Sequence, residues 1–202
     1  MRPDEQTRIG LFAKALRSAS FPSRQQRLDR ELCDEVQRAG CPCGGVLHVA
    51  NYRRWCLLLL DVVLRWSFCC AVCRRRRTPP SVRFMGRRHY GALIVVLLSA
   101  AGGGVVGRHV KIVAHELGLF VSEATLARWA SWWRHEMPTT PFWMVARARF
   151  GTPLAGSSLA EGLLNRFRAL DGEDRLLAFL EFLSPLTTTS CDGFGRRFSM
   201  AV

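Results

Sequence analysis

Apolar residues recur at helical spacing over the first 40 residues of the chain. A period of three or four residues predicts a short helix over residues 4–18. Ser23 is a suitable N-cap for a second helix, and Gly40 is a suitable residue to end it. We therefore predict N-terminal helices over residues 1–40. The apolar positions of the second helix are Leu28, Leu32 and Val36.

The same helical period returns near the other end of the chain. Residues 157–167 and 173–183 each carry large apolar side chains on one face, which predicts two amphipathic helices. We expect residues 151–202 to form a C-terminal helical lobe with a tail, which packs on the chain or makes a homodimer. The apolar positions are Leu159, Leu163, Leu164, Phe167, Leu176, Leu177, Leu180 and Leu183.

Residues 41–86 change to the alternation that is typical of short strands. Residues 46–50 predict one strand, residues 64–68 alternate apolar with polar side chains, and residues 81–84 predict the last strand of a small ribbon. The apolar run 55–66 is unusual for a ribbon loop. We predict that it is a helical insertion packed on the ribbon.

Between residues 87 and 150, apolar residues at helical spacing predict two helices joined by a turn. The first helix closes at Gly118, and Ser122 caps the second. This pattern indicates a helix-turn-helix, which places its second helix in the major groove of DNA. Two ordinary packed helices with tryptophans in the core are the alternative. The candidate DNA contacts are Thr125 and Arg128, best placed for base edges, Trp132 on the same face, and Arg134, placed for phosphate.

Residues 90–107 carry no charge and allow two other interpretations. A membrane helix is one, but three glycines at 102–104 break the apolar run, so we favour a buried helix. The glycines of residues 102–107 also match the spacing of a nucleotide-binding motif. That motif needs a later strand ending in an acidic residue, and the sequence shows a further helix there.

Four cysteines form two close pairs that suit a metal ion. Cys41 and Cys43 are one residue apart, and Cys70 and Cys73 have the two-residue gap usual for zinc. We predict a structural Zn²⁺ held by these four thiolates. Four protein ligands leave no open position, so the ion would fold the ribbon and perform no chemistry. The alternatives are Cys69 in place of Cys70 and His48 in place of Cys43.

The net charge of +13 comes almost wholly from arginine, since Lys14 and Lys111 are the only lysines among 29 basic residues. Arginine donates paired hydrogen bonds to phosphate and to guanine, so the composition favours nucleic acid as the partner. An arginine-rich bias with ordinary solvated faces is the alternative. The further candidate nucleic-acid contacts are Arg74, Arg75, Arg76, Arg77, Arg87 and Arg88.

The N-terminus is polar and shows no apolar core of a signal peptide, which predicts a cytoplasmic protein with reduced cysteines. No complete catalytic constellation is found. Asp61, Glu116 and Glu123 fall on predicted helices or the insertion, so a two-metal strand-transfer site is not indicated. We expect no small-molecule substrate.

Several segments resemble a family of short bacterial proteins that looks like a zinc ribbon joined to a helix-turn-helix of insertion-sequence and transposase proteins. The resemblance covers roughly residues 23–190, and it implies DNA binding near mobile elements. The segments that carry it are residues 41–48, 67–84, 126–133 and 141–143.

Together these patterns predict a mainly α protein with a small β zinc ribbon. The predicted parts are N-terminal helices (1–40), a zinc-ribbon-like segment (41–86), a helix-turn-helix domain (87–150) and a C-terminal lobe (151–202). The predicted function is sequence-specific binding of double-stranded DNA, as an accessory factor or regulator of a mobile element. The alternatives are a membrane-associated protein anchored by residues 90–107 and a non-autonomous transposase fragment.

Overall fold

The computed structural model describes residues 18–56, 61–84, 122–150, 159–167 and 172–188. Within these ranges the fold is mainly helical, with five α-helices and a small region of antiparallel sheet. The helices are α1 (Ser20–Ala39), α2 (Glu123–Ser131), α3 (Pro141–Ala146), α4 (Leu159–Arg166) and α5 (Gly172–Leu183). The strands are β1 (Leu47–Val49), β2 (Tyr52–Cys56), β3 (Asp61–Arg65), β4 (Phe68–Cys70) and β5 (Arg76–Arg77).

The chain divides into two compact units. Pro22–Ala92 and Leu180–Val202 form the first, which we call the cysteine unit. Met1–Phe21 and Leu93–Phe179 form the second, which we call the helical unit. The predicted helix over residues 4–18 and the uncharged residues 90–107 lie outside the described residues, apart from Ser18.

Helix α1 confirms the second predicted helix but begins earlier, at Ser20. Pro22 lies in its first turn, where the missing N–H breaks no helical hydrogen bond. Ser23, the predicted N-cap, therefore lies inside the helix. At the other end Gly40 has a φ of +68°, and its N–H donates to the carbonyls of Val36 and Gln37. Glycine ends the helix as predicted, because it adopts this left-handed backbone without strain.

The most buried positions of α1 in the cysteine unit are polar. Asp29 is 1% exposed, and one carboxylate oxygen accepts the Val82 N–H at 2.7 Å. The other oxygen accepts from the Ser81 hydroxyl at 2.8 Å and from Arg83 Nε at 2.6 Å. Gln25 donates to the Val82 carbonyl at 3.3 Å. Residues 81–84 are therefore held by side chains of α1 rather than forming the predicted last strand, and that prediction is wrong.

The described residues of the cysteine unit form two antiparallel sheets. In the first, β4 lies between β1 and β5, with Leu47 opposite Cys70 and Cys69 opposite Arg76. The predicted strand over residues 64–68 is divided between β3 and β4 at Ser67, whose N–H donates to the Asn51 side chain. The predicted strand over 46–50 is confirmed as β1.

The second sheet is the pair β2–β3, which replaces the predicted helical insertion. The prediction of a helix was wrong because an apolar run of this length fits two short strands as well as one helix. Its β-branched Val62 and Val63 favour strands. Leu64 and Val62 of β3 are each 45% exposed, so these two apolar side chains face solvent.

In the helical unit, α2 begins directly after Ser122, as predicted for the second helix of the pair. It continues as a wider π-turn over Trp132–Glu136 and a 3₁₀ turn over Met137–Thr139. Thr140 then caps α3 by accepting the Trp143 N–H at 3.1 Å. The first predicted helix of the pair, and the turn after Gly118, lie outside the described residues.

The two C-terminal helices are confirmed as α4 and α5. Phe179 of α5 stacks on Trp133 with ring centroids 6.4 Å apart, and Arg175 donates to the Leu164 carbonyl at 3.1 Å. The leucines at 163, 164, 176, 177, 180 and 183 are all buried within the chain. Their burial accounts for the amphipathic pattern without a second copy of the chain, and the homodimer stays a prediction.

Candidate metal centre

Two turns of the cysteine unit carry the four cysteines. The first follows α1, and there the Gly44 N–H donates to the Cys41 carbonyl at 2.8 Å. The second follows β4, and there the Arg74 N–H donates to the Cys70 carbonyl at 3.1 Å. A further bond from the Ala71 N–H to the Val46 carbonyl, 2.9 Å long, joins the two turns. The pairing of β1 with β4 therefore sets the distance between the two cysteine pairs.

The four sulfur atoms converge on one point. Cys41, Cys43, Cys70 and Cys73 have sulfurs that all lie within 4.8 Å of one another. Cys43 Sγ lies 3.4 Å from both Cys41 Sγ and Cys70 Sγ, and Cys41 Sγ lies 3.5 Å from Cys73 Sγ. A tetrahedral Zn²⁺ with bonds of about 2.3 Å would need sulfurs about 3.8 Å apart. The four residues predicted from the sequence are thus together and able to hold a metal ion.

The two alternative ligands do not join this cluster. Strand alternation directs Cys69 away from its neighbour Cys70, and its sulfur lies 3.6 Å from the Arg74 carbonyl oxygen. His48 is exposed on β1, directly opposite Cys69. The short Cys41–Cys43 spacing is sufficient because Gly44 takes a φ of +77° and turns the chain after the second sulfur.

Backbone amides point at the sulfurs and change their pKa values. The Gly45 amide lowers the pKa of Cys43, and the Cys73 amide, aided by that of Val72, lowers the pKa of Cys70 to about 6. The Cys43 amide acts in the same direction on Cys41, but burial and the neighbouring thiols outweigh it and raise that pKa to about 12. One small volume does not accept four thiolates unless a cation shares it.

Gly45 is the residue that brings the two turns into contact. A Cβ atom at this position would lie 2.5 Å from Cys70 Sγ and 2.9 Å from the Val72 Cβ atom. A Cβ atom at Gly44 would meet nothing within 4 Å, although the positive φ of Gly44 disfavours a side chain. Glycine at 45 is therefore required by space, and glycine at 44 by backbone conformation.

We expect Gly45→Ala to weaken metal binding, because the methyl group has to move a ligand sulfur. The free energy of unfolding of the metal-loaded protein should fall by about 1–3 kcal/mol, as for other overpacked sites. Gly172→Ala is the matched control, because a Cβ atom at this position in the helical unit meets nothing within 4 Å and displaces no sulfur. Competition with a chelator measures zinc affinity in both variants. Equal affinities would contradict the assignment of Gly45.

Among the described side chains, the remaining cysteines, Cys33 and Cys69, do not join a metal-binding group. Cys33 is half-buried on α1, and burial raises the pKa of its thiol, as expected for a packing residue. The side chain of Cys56 and all of Cys191 lie outside the described residues. Among the described residues, the four-cysteine cluster is the one group of three or more side chains placed to hold a metal ion.

The predicted nucleic-acid contacts divide into two sets. In the cysteine unit, Arg74, Arg75 and Arg76 are exposed and Arg77 is half-buried. The backbone of Arg74 is left-handed, with a φ of +57°. In the helical unit, Arg128 and Arg134 are exposed, and each has interaction partners within the chain. Trp132 is half-buried and contacts Trp133. The other predicted contacts, Arg87, Arg88 and the Thr125 side chain, lie outside the described residues.

Two arginines of the cysteine unit are internal and serve the fold. Arg65 is 5% exposed and donates to the Pro79 carbonyl at 2.6 Å, and burial lowers the pKa of its guanidinium group. Arg83 forms an ion pair with Asp29 at 2.6 Å. These contacts explain part of the arginine excess without any ligand.

The sequence interpretation missed the basic side chains of β2. The guanidinium groups of Arg54 and Arg76 lie 4.6 and 5.3 Å from the centroid of the Tyr52 ring. Arg53 is exposed on the opposite face of the strand. The signal was the run of an aromatic residue and two arginines between the first predicted strand and the predicted insertion over residues 55–66.

Comparisons of this chain with protein-family models, with curated proteins and with solved structures give no match. None of the helices in the described ranges has the length and apolar character needed to cross a membrane. The assignment of function therefore depends on the site itself.

Proposed function

We propose that this protein is a zinc-stabilised nucleic-acid-binding protein and that the cysteine cluster supports an arginine surface for double-stranded DNA. The observation that carries the proposal is the convergence of four sulfurs on turns, the second of which leads directly into Arg74. A set of four thiolates in a tetrahedral arrangement suits Zn²⁺, and such a closed site is structural. The β1–β4–β5 sheet that joins the two turns fits a zinc ribbon.

The charge around the second turn supports a polyanionic partner. Arg74 and Arg75 are exposed, and no carboxylate of the described residues lies within ion-pair distance of either. A glycine would adopt the left-handed backbone of Arg74 with less strain. Turn geometry alone therefore does not account for arginine at this position, whereas contact with phosphate does.

DNA binding is tested by measuring affinity for a labelled duplex over a range of salt concentrations. Each arginine that neutralises a phosphate adds about 0.9 to the slope of log affinity against log salt. We expect Arg74→Gln with Arg75→Gln to reduce the slope by about 1.8 and to weaken binding to all sequences. The matched control, Arg27→Gln with Arg38→Gln, removes the same charge from α1, where both residues are exposed.

A wild-type protein that binds no DNA at low salt would refute the proposal, and so would equal effects of the two double variants. Base reading by Arg128 and an association with mobile elements stay predictions, the second resting on the resemblance alone. A selection on random duplex DNA with Arg128→Ala tests base reading, since phosphate contacts survive that substitution.

A further inference from the structure

An aromatic ring with two guanidinium groups against it lies on one face of the cysteine unit. Tyr52 begins β2, and Arg54 lies two residues later on the same face of that strand. Arg76 reaches the ring from β5, a strand of the other sheet. We call these three residues the Tyr52 platform.

The platform is held in place before any ligand binds. Arg76 Nη1 donates to the Ala50 carbonyl at 2.8 Å and lies 3.3 Å from the Ser67 hydroxyl. The other guanidinium, that of Arg54, lies 4.6 Å from the Tyr52 ring centroid. A guanidinium already stacked on a ring loses less rotamer freedom when it binds an anion, which favours affinity.

The charge of the platform is uncompensated within the described residues. Arg54 and Arg76 bring two positive charges to one ring, and no carboxylate of the described ranges forms an ion pair with either. The ring face attracts each cation, but the two cations repel each other. A phosphate group between or beside them would relieve that repulsion and accept their remaining N–H groups.

The combination of ring and arginines distinguishes between forms of nucleic acid. A duplex keeps its bases stacked within itself and would use the arginines alone. An unpaired base can stack on an aromatic or guanidinium plane while its phosphate accepts hydrogen bonds from the arginine side chains. Tyr52 is half-exposed, as is Arg54, and Arg76 is exposed, so the surface is accessible in the cysteine unit.

We infer that the Tyr52 platform binds single-stranded nucleic acid through base stacking and phosphate contacts. This inference rests on the proposed function and specifies a second form of its ligand. The protein would then meet duplex DNA through the arginines after the second turn and unpaired nucleotides through the platform.

The test uses the full-length, zinc-loaded protein with two labelled probes, an oligothymidylate of about 15 nucleotides and a duplex of equal length. Tyr52→Leu keeps both charges and removes the ring. We expect it to weaken oligothymidylate binding about tenfold or more, while duplex binding changes by less than about twofold. Tyr52→Phe keeps a stacking surface and should restore binding to within about twofold of wild type. Arg54→Gln should weaken binding of the single strand and reduce its salt slope by about 0.7.

The outcomes separate this inference from the proposed function. A wild-type protein that binds duplex but not oligothymidylate overturns the inference and leaves the proposed function standing. Equal binding of oligothymidylate by wild type and Tyr52→Leu, with unchanged zinc content, also overturns it, because the arginines would then act by charge alone. A wild-type protein that binds neither probe overturns both.

Discussion

Replacing both Cys70 and Cys73 with serine is expected to abolish metal binding and to unfold the β1–β4–β5 sheet of the cysteine unit. Each residue supplies one of four sulfurs that lie within 4.8 Å of one another. Structural zinc contributes roughly 10–16 kcal/mol of apparent binding free energy in small zinc-dependent domains. Loss of two ligands therefore removes an amount of free energy comparable to the whole stability of a typical domain, which is about 5–15 kcal/mol.

Metal analysis of the purified protein measures this effect directly. Wild type should carry about one zinc ion per chain, and the double variant should carry almost none. Cys69→Ser is the matched control, because this cysteine is adjacent to Cys70 yet its sulfur points to the Arg74 carbonyl. Circular dichroism before and after chelation reports the loss of folded structure. A double variant with a full zinc complement would show that the cluster is not the metal site.

Asp29→Ala is expected to cost about 3–5 kcal/mol of unfolding free energy, the range for breaking a buried ion pair. Its carboxylate is 1% exposed and accepts three hydrogen bonds, from Ser81, Val82 and Arg83. Removing the carboxylate leaves these donors, including one guanidinium, without their acceptor in a buried place. Of the side-chain hydrogen bonds described between this segment and α1, only the one from Gln25 to the Val82 carbonyl would then remain.

Urea unfolding of the zinc-loaded protein, followed by tryptophan fluorescence, measures the loss of stability. Asp34→Ala serves as the control, since Asp34 is exposed on the same helix. We expect it to change stability by less than about 0.5 kcal/mol. If both variants unfold at the same urea concentration, the buried network does not stabilise the unit as described.

Sequence reasoning identified the cysteine cluster because ligand spacing is a local property. The short spacing within each of two cysteine pairs suited a tetrahedral site, with Cys69 and His48 as alternative ligands, and the structure brings the four predicted sulfurs together. The amphipathic helices α4 and α5 were also predictable, since their leucines repeat with the helical period. The spacing within each cysteine pair and the helical period depend on residues close together in the chain, whereas the meeting of the two pairs depends on the pairing of β1 with β4.

Features that depend on distant partners were missed. The described residues 55–56 and 61–65 of the apolar run belong to the paired strands β2 and β3, which its composition did not distinguish from a helix. The buried face of α1 carries Asp29 and Gln25, and a search for apolar periodicity passes over polar residues. The groups that donate hydrogen bonds to Asp29 lie more than 50 positions away in the sequence, so no local sequence pattern predicts them.

The sequence by itself determined the two candidate cysteine pairs, where most described helices run and how much positive charge the protein carries, while the structure excluded Cys69 and His48 from the cluster. The tertiary structure alone decided which arginines are internal, such as Arg65, and which remain at the surface, such as Arg74. It also placed Arg76 against Tyr52. The reason is physical: an arginine's role depends on whether a carbonyl, a carboxylate or an aromatic ring lies within reach, and folding brings those groups from remote positions.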